Sequence, residues 1–238
     1  MRGSFAASMT AALALAAASL SPGTAAAHVG ATTAAVTANA TSEIYFGVGH
    51  GCENADTLSI TIDIPAGLTG VRGMPSEFGK VKVNRDAALN VVSVTWEKAV
   101  VDLIATDDNF YKLGIRAKLP NAPFTKVFFP VHQVCQKADG TKLTAEWVST
   151  LPSEGENGPK PAASVLVLPA RKPGWNEYTV PVAIATADLE KVFGDAQIVW
   201  KGTAAYSANP ATAALATATA GTTPLTALAA GDKIWVKY

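Results

Sequence analysis

With 238 residues, 49% of them hydrophobic, the chain is long enough to bury a full core, and its 19 basic side chains balance 19 acidic ones. No basic cluster occurs along it, which argues against nucleic acid or an anionic membrane surface as a partner.

Arg2 is followed by an apolar run from Phe5 to Leu20, by the helix breakers Pro22 and Gly23, and by Ala25-Ala26-Ala27. That order is a secretory signal ending in an A-x-A cleavage site. The 16-residue run is shorter than the ~18–20 residues needed to span a bilayer. Residues 1–27 are therefore read as a signal peptide, with the mature chain starting at His28. No later segment is long and apolar enough to cross a membrane, so the expected location is periplasmic or extracellular, without stable membrane insertion.

After residue 30 the apolar residues alternate, the pattern of half-buried strands. Leu58, Ile60, Ile62 and Ile64 interleave with Thr57, Ser59, Thr61 and Asp63. Val92, Val94 and Trp96 interleave with Ser93, Thr95 and Glu97, and Leu113, Ile115, Ala117 and Leu119 with Lys112, Gly114, Arg116 and Lys118. Further strands are predicted at 32–38, 42–48, 80–84, 125–135 and 142–149, separated by turn formers such as Pro65-Ala66-Gly67 and Ala138-Asp139-Gly140. The count and spacing predict an all-β, immunoglobulin-like antiparallel β-sandwich with a C-terminal extension; a closed barrel satisfies the same periodicity.

The composition changes at residues 152–173, where five prolines cluster with Gly155 and Gly158, and this stretch is read as a boundary loop. The sandwich is assigned to residues 28–168 and the extension to 169–238. In the extension, a strand is predicted around Val180, Val182 and Ile184, a short helix from Ala187 to Phe193 ended by Gly194, and strands at 198–200 and 233–238. The Ala/Thr-rich segment 203–231 is expected to be a long extended or partly disordered excursion.

Cys52 and Cys135 are the only cysteines. In an oxidising compartment an isolated, distant pair reads as a structural disulfide, and closing a loop of about 84 residues stabilises a fold by roughly 4–5 kcal/mol on the chain-entropy model.

Signal removal would leave His28 with a free α-amine beside its imidazole, two nitrogens able to chelate one metal ion. The amine's ordinary pKa near ~8 makes proton displacement by a metal cheap at neutral pH. Such donors suit Cu(II), the strongest binder of the divalent first-row series. Copper(I) storage is disfavoured, because Met74 is the only methionine after the signal and both cysteines are committed to each other. Structural zinc lacks its four Cys/His ligands. There is no G-x-S-x-G, no H-E-x-x-H and no phosphate-binding loop, so no catalytic site is expected.

A set of residues in order carries a resemblance. It runs from His28-Val29 through Val48-Gly49-His50-Gly51-Cys52, Ile62-Asp63-Ile64-Pro65, Met74-Pro75 and Val94-Thr95-Trp96. It continues through Phe128-Phe129-Pro130, Gln133, Cys135 and Trp147 to Leu151-Pro152 and Glu154-Gly155. Over residues 28–168 the chain resembles the YcnI-like copper-binding domain family, bacterial exported proteins often encoded beside copper-handling genes. The resemblance implies an immunoglobulin-like fold and a Cu(II) site called a mono-histidine brace, made by the processed N-terminal histidine, a carboxylate and a nearby tryptophan. His28 takes the first role and Trp147 the last. Glu146 is the first choice for the carboxylate, with Asp108 and Glu43 as alternatives.

Strand geometry bears on that choice, because Trp147 shares a face with Leu143 and Ala145 while Glu146 shares the other with Lys142 and Thr144. Both would reach one metal only at a bulge or strand end. The chain also departs from the family pattern at Lys112, where relatives carry an acidic or amide residue, and at Phe78-Gly79, which replaces Gly-Trp.

The expected function is copper(II) binding for homeostasis or delivery, with the ion and another copper-handling protein as partners. A copper-dependent oxidase or monooxygenase is the enzymatic alternative, and it requires a second imidazole, from His50 or His132, beside His28. A metal-free binding or adhesion module is the third reading.

Overall fold

The computed structural model describes residues 28–53, 55–104, 108–151 and 160–238; the expected signal peptide lies outside them. The sandwich comprises β1 (Val29–Ala31), β2 (Ala35–Thr37), β3 (Thr41–Val48), β4 (Asp56–Asp63), β5 (Thr69–Gly73), β6 (Lys80–Arg85), β7 (Val91–Glu97), β8 (Tyr111–Lys118), β9 (Lys126–Phe129), β10 (Val131–Gln136), β11 (Lys142–Trp147) and β12 (Ala163–Leu168). Beyond it follow β13 (Trp175–Thr179), α1 (Thr186–Phe193), β14 (Ile198–Lys201), β15 (Ala204–Tyr206), α2 (Pro210–Ala218), β16 (Thr223–Pro224) and β17 (Lys233–Lys237).

One sheet has the order β1-β3-β8-β5 and the other β11-β10-β4-β7-β6, and every neighbouring pair in both is antiparallel. The alternation in sequence becomes inward and outward facing. Ile44 and Phe46 of β3 and Leu113 and Ile115 of β8 meet Ile60 and Ile62 of β4 and Val94 and Trp96 of β7 in one core. These side chains are essentially unexposed, and each contributes about 1.5–3 kcal/mol of burial. The architecture is an immunoglobulin-like antiparallel β-sandwich. A disulfide joins Cys52, in the connector after β3, to Cys135 on β10, with 5.8 Å between their Cα atoms.

Four elements differ from the sequence expectation. The run 125–135 is two strands, because Pro130 has no N–H for a ladder; β9 pairs with β12 while β10 joins the second large sheet. The expected loop 152–173 contains β12, whose Ala163, Val165 and Val167 are buried and which pairs parallel to β2; residues 152–159 lie outside the described residues. The strand placed around 180–184 ends at Thr179, and Val180 and Ile184 are buried beyond it. The segment 203–231 is ordered into β15, α2 and β16. Asn209 accepts backbone N–H bonds from Ala211 (2.9 Å) and Thr212 (3.3 Å), and Pro210 occupies the first turn, so an alanine-rich stretch with a proper start becomes a helix.

The C-terminal residues build a sheet of order β13-β17-β14-β15-β16 over their own core of Val180, Leu189, Phe193, Val199, Ile234 and Val236. Phe124 of the sandwich is inserted into that core, with ring centroids 5.7 Å from Tyr178 and 5.8 Å from Phe193. Its φ of +65° is an uncommon backbone state for a bulky residue, held here by the burial of its ring. Among the described residues no helix is long and apolar enough to cross a membrane.

One ion pair is fully internal. Lys98 Nζ lies 2.8 and 2.7 Å from the two carboxylate oxygens of Asp56, and the side chains are 1% and 3% exposed. The backbone N–H of Ile104 also donates to Asp56, and the ammonium lies 4.4 Å from the Tyr111 ring centroid and 5.1 Å from that of Phe78. Removing one partner leaves the other charge buried and alone. Asp56→Ala is expected to cost about 3–5 kcal/mol in urea unfolding, whereas Asp56→Leu combined with Lys98→Met recovers most of it; equal losses in single and double variants would disprove the coupling.

Candidate functional site

His28 stands one residue ahead of β1, whose pairing with β3 begins at Val29 opposite Val48. Val29 is buried, so the chain's first described residue is tied to a packed strand. The His28 imidazole stacks on the Trp147 indole, with centroids 5.2 Å apart and planes 27° from parallel. Its Cδ2–Nε2 edge faces Gly30: a methyl group there would stand 3.3 Å from Cδ2 and 3.5 Å from Nε2. Nδ1 is thus on the edge turned away from Gly30. That is the nitrogen which, with the residue's own α-amine, closes a six-membered chelate ring.

Trp147 is the last residue of β11 and its indole is buried. Its Nε1–H donates to Gln133 Oε1 at 3.3 Å. Gln133 is itself unexposed, and its amide nitrogen donates to the His50 carbonyl at 3.0 Å and to the Thr57 hydroxyl at 2.8 Å. Lys160 Nζ lies 5.2 Å from the Trp147 ring centroid. Neither Gln133 nor Lys160 is foreseen as part of the site. For Gln133 a signal existed: it shares the inward face of β10 with Val131 and Cys135, and a polar residue at a core position needs partners.

The three carboxylates proposed beside His28 are placed differently. Glu146 faces away from Trp147, as strand alternation requires, and its carboxylate engages Nδ1 of His132. Glu43 accepts the Tyr45 hydroxyl at 2.6 Å; it is five residues along β3 from Val48, or about 17 Å. Asp108 precedes β8 at the end where Tyr111 pairs with Val48, so it shares the His28 end of that sheet. Lys112 reaches the Tyr45 ring, 4.4 Å from its centroid. Among the described residues no three His, Cys, Asp or Glu side chains converge as metal ligands. The α-amine and Nδ1 of His28 would offer an ion two nitrogen donors, a set whose chemistry fits copper(II).

The other two histidines have partners of their own. His50 Nδ1 lies 3.0 Å from the Gly51 carbonyl. His132 sits between two carboxylates on the outer face of its sheet, with Nε2 3.0 Å from Asp63 and Nδ1 against Glu146. Partial burial pushes its pKa down, but hydrogen bonds and charge from Asp63 and Glu146 outweigh this and raise it above the ordinary 6.5. A raised folded-state pKa stabilises the fold fully below about pH 6.5, and the contribution is lost as pH rises through the raised value. His132→Asn should therefore destabilise the protein at pH 5.5 and converge on the wild type at high pH. Thermal melts from pH 5 to 9 test this, and a gap that widens with pH would refute it.

No match is found among curated proteins. Among solved structures, an uncharacterized protein from Nocardia farcinica described as having an immunoglobulin-like fold is similar over 59% of this chain and 98% of its own, at 24% identity and a TM-score of 0.49. The major pilin subunit BcpA of Bacillus cereus is similar over 65% of this chain and 42% of its own (11% identity, TM-score 0.37). A non-cellulosomal cohesin from Archaeoglobus fulgidus is similar over 59% and 90% respectively (7% identity, TM-score 0.36). Residues 28–168, from the histidine heading β1 to the end of β12, match the family described as "Domain of unknown function (DUF1775)", and the chain belongs to that family.

Proposed function

We propose that this protein is exported, loses residues 1–27, and binds copper(II) through the amine and imidazole of His28 in copper homeostasis or delivery. The observation that carries this reading is the stacking of His28 on Trp147. A histidine left beside a cleavage site by chance would have no reason to be seated on a buried indole with a glycine against its ring.

The site's own residues define what it can do. The paired nitrogens of His28 bind the ion, Trp147 orients the imidazole and covers one of its faces, and Gly30 leaves the ring its space. Nitrogen donors of this kind would bind copper(II) more strongly than the other divalent first-row ions. Few protein ligands suit an ion that is handed to another copper-handling protein. We read the role as binding and not catalysis.

The test is a Cu(II) titration, by calorimetry and electron paramagnetic resonance, of the secreted, processed protein and of a form with one extra residue ahead of His28. One-to-one binding in the native-terminus form alone supports the proposal. Equal binding by both, or by neither, removes His28 as the anchor and favours a metal-free binding module. Gly30→Ala presses on the imidazole and is expected to weaken Cu(II) binding by about tenfold, the lower end for residues that support a metal ligand; unchanged affinity would show that ring placement is unimportant.

A further inference from the structure

We propose that the outer face of the C-terminal sheet binds an extended polysaccharide, its sugar rings laid on Trp175, Trp235 and Trp200. The chain has five tryptophans. Trp96 and Trp147 are buried, whereas Trp175 and Trp235 are 51% and 49% exposed and Trp200 is partly exposed.

Register puts all three on one face. Trp235 lies directly opposite Trp200, and Trp175 lies opposite Lys237, two residues on from Trp235. Ile234 and Val236, which alternate with them, point into the core. Strands β13, β17 and β14 are consecutive in the sheet. With about 4.8 Å between neighbouring strands, the indoles are distributed over about 10 Å, more than one sugar ring covers.

The three indoles line one shallow hollow of about 430 Å³. Trp175 and Trp200 also line an adjoining cleft of about 760 Å³, together with Glu190, Gln197, Thr212 and Lys237. An apolar platform running into a rim of carboxylate, amide, hydroxyl and ammonium groups matches the chemistry of a pyranose. Its C–H face carries slight positive charge toward the negative face of an indole, and its edge hydroxyls both donate and accept hydrogen bonds.

Area weighs against a second copy of the chain. Two half-exposed indoles and one less exposed offer roughly 300 Å², against the ~800 Å² per partner of a stable dimer. The rim carries both signs of charge, which does not suit an anionic membrane either.

The experiment co-sediments the processed protein with insoluble chitin, cellulose and purified peptidoglycan sacculi, in parallel with neutral and anionic phosphatidylcholine-based vesicles and with analytical ultracentrifugation of the protein alone. Retention on at least one polysaccharide is expected, with about a tenfold or greater loss for Trp175→Ala, Trp200→Ala and Trp235→Ala, and partial rescue by Trp235→Phe. Far-ultraviolet circular dichroism and thermal melts verify that each variant is folded. Retention on none of the polysaccharides, or retention that all three alanine variants keep, overturns the proposal. So does a tryptophan-dependent dimer or tryptophan-dependent vesicle binding without polysaccharide binding.

Discussion

The side-chain amide of Gln133 has no exposure and three partners: the Trp147 indole, the Thr57 hydroxyl and the His50 carbonyl. A buried amide left without partners costs a few kcal/mol, so these groups are held where they are. The Trp147 indole on which His28 rests is thus both buried and hydrogen-bonded. Two residues further along β10, the disulfide from Cys135 to Cys52 anchors the connector that contains His50. The amide and the cross-link thus brace the same loop from one strand.

The rest of the sandwich supplies the rigidity on which this corner depends. Side chains from both sheets interlock in one core, and the Asp56–Lys98 pair lies inside the fold, roofed by Phe78 and Tyr111. The edge-on contact of Phe78 with Tyr111, at 5.1 Å between centroids, is part of that roof. The fold seats His28 on Trp147 at the edge of this rigid sandwich.

The C-terminal unit follows the same physics with a different surface result. Its inner face is closed by Phe193, Val199, Ile234 and Val236 and by Phe124 arriving from the sandwich, which makes the two units share a hydrophobic seam. Its outer face keeps three indoles in view. Burying two tryptophans while displaying three separates those used for packing from those available to a ligand.

Residue chemistry and alternation determine a good deal on their own: the two-faced strands read over 57–64, 92–97 and 112–119 and found at 56–63, 91–97 and 111–118, the pairing of the two cysteines, and the opposite facing of Trp147 and Glu146. These are local properties, since a strand's period is two and its side chains alternate whatever it packs against. Tertiary structure alone decides the rest. Pro130 divides one apolar run between two sheets, β12 emerges from a proline-rich stretch by pairing with β2 and β9, and α2 forms where composition suggests an extended chain. Likewise His28 and Trp147 are 119 positions apart in sequence, and no period links them. Their stacking exists because β1 closes one sheet edge beside the end of β11, a juxtaposition set by strand order and core packing and not by any neighbour along the chain.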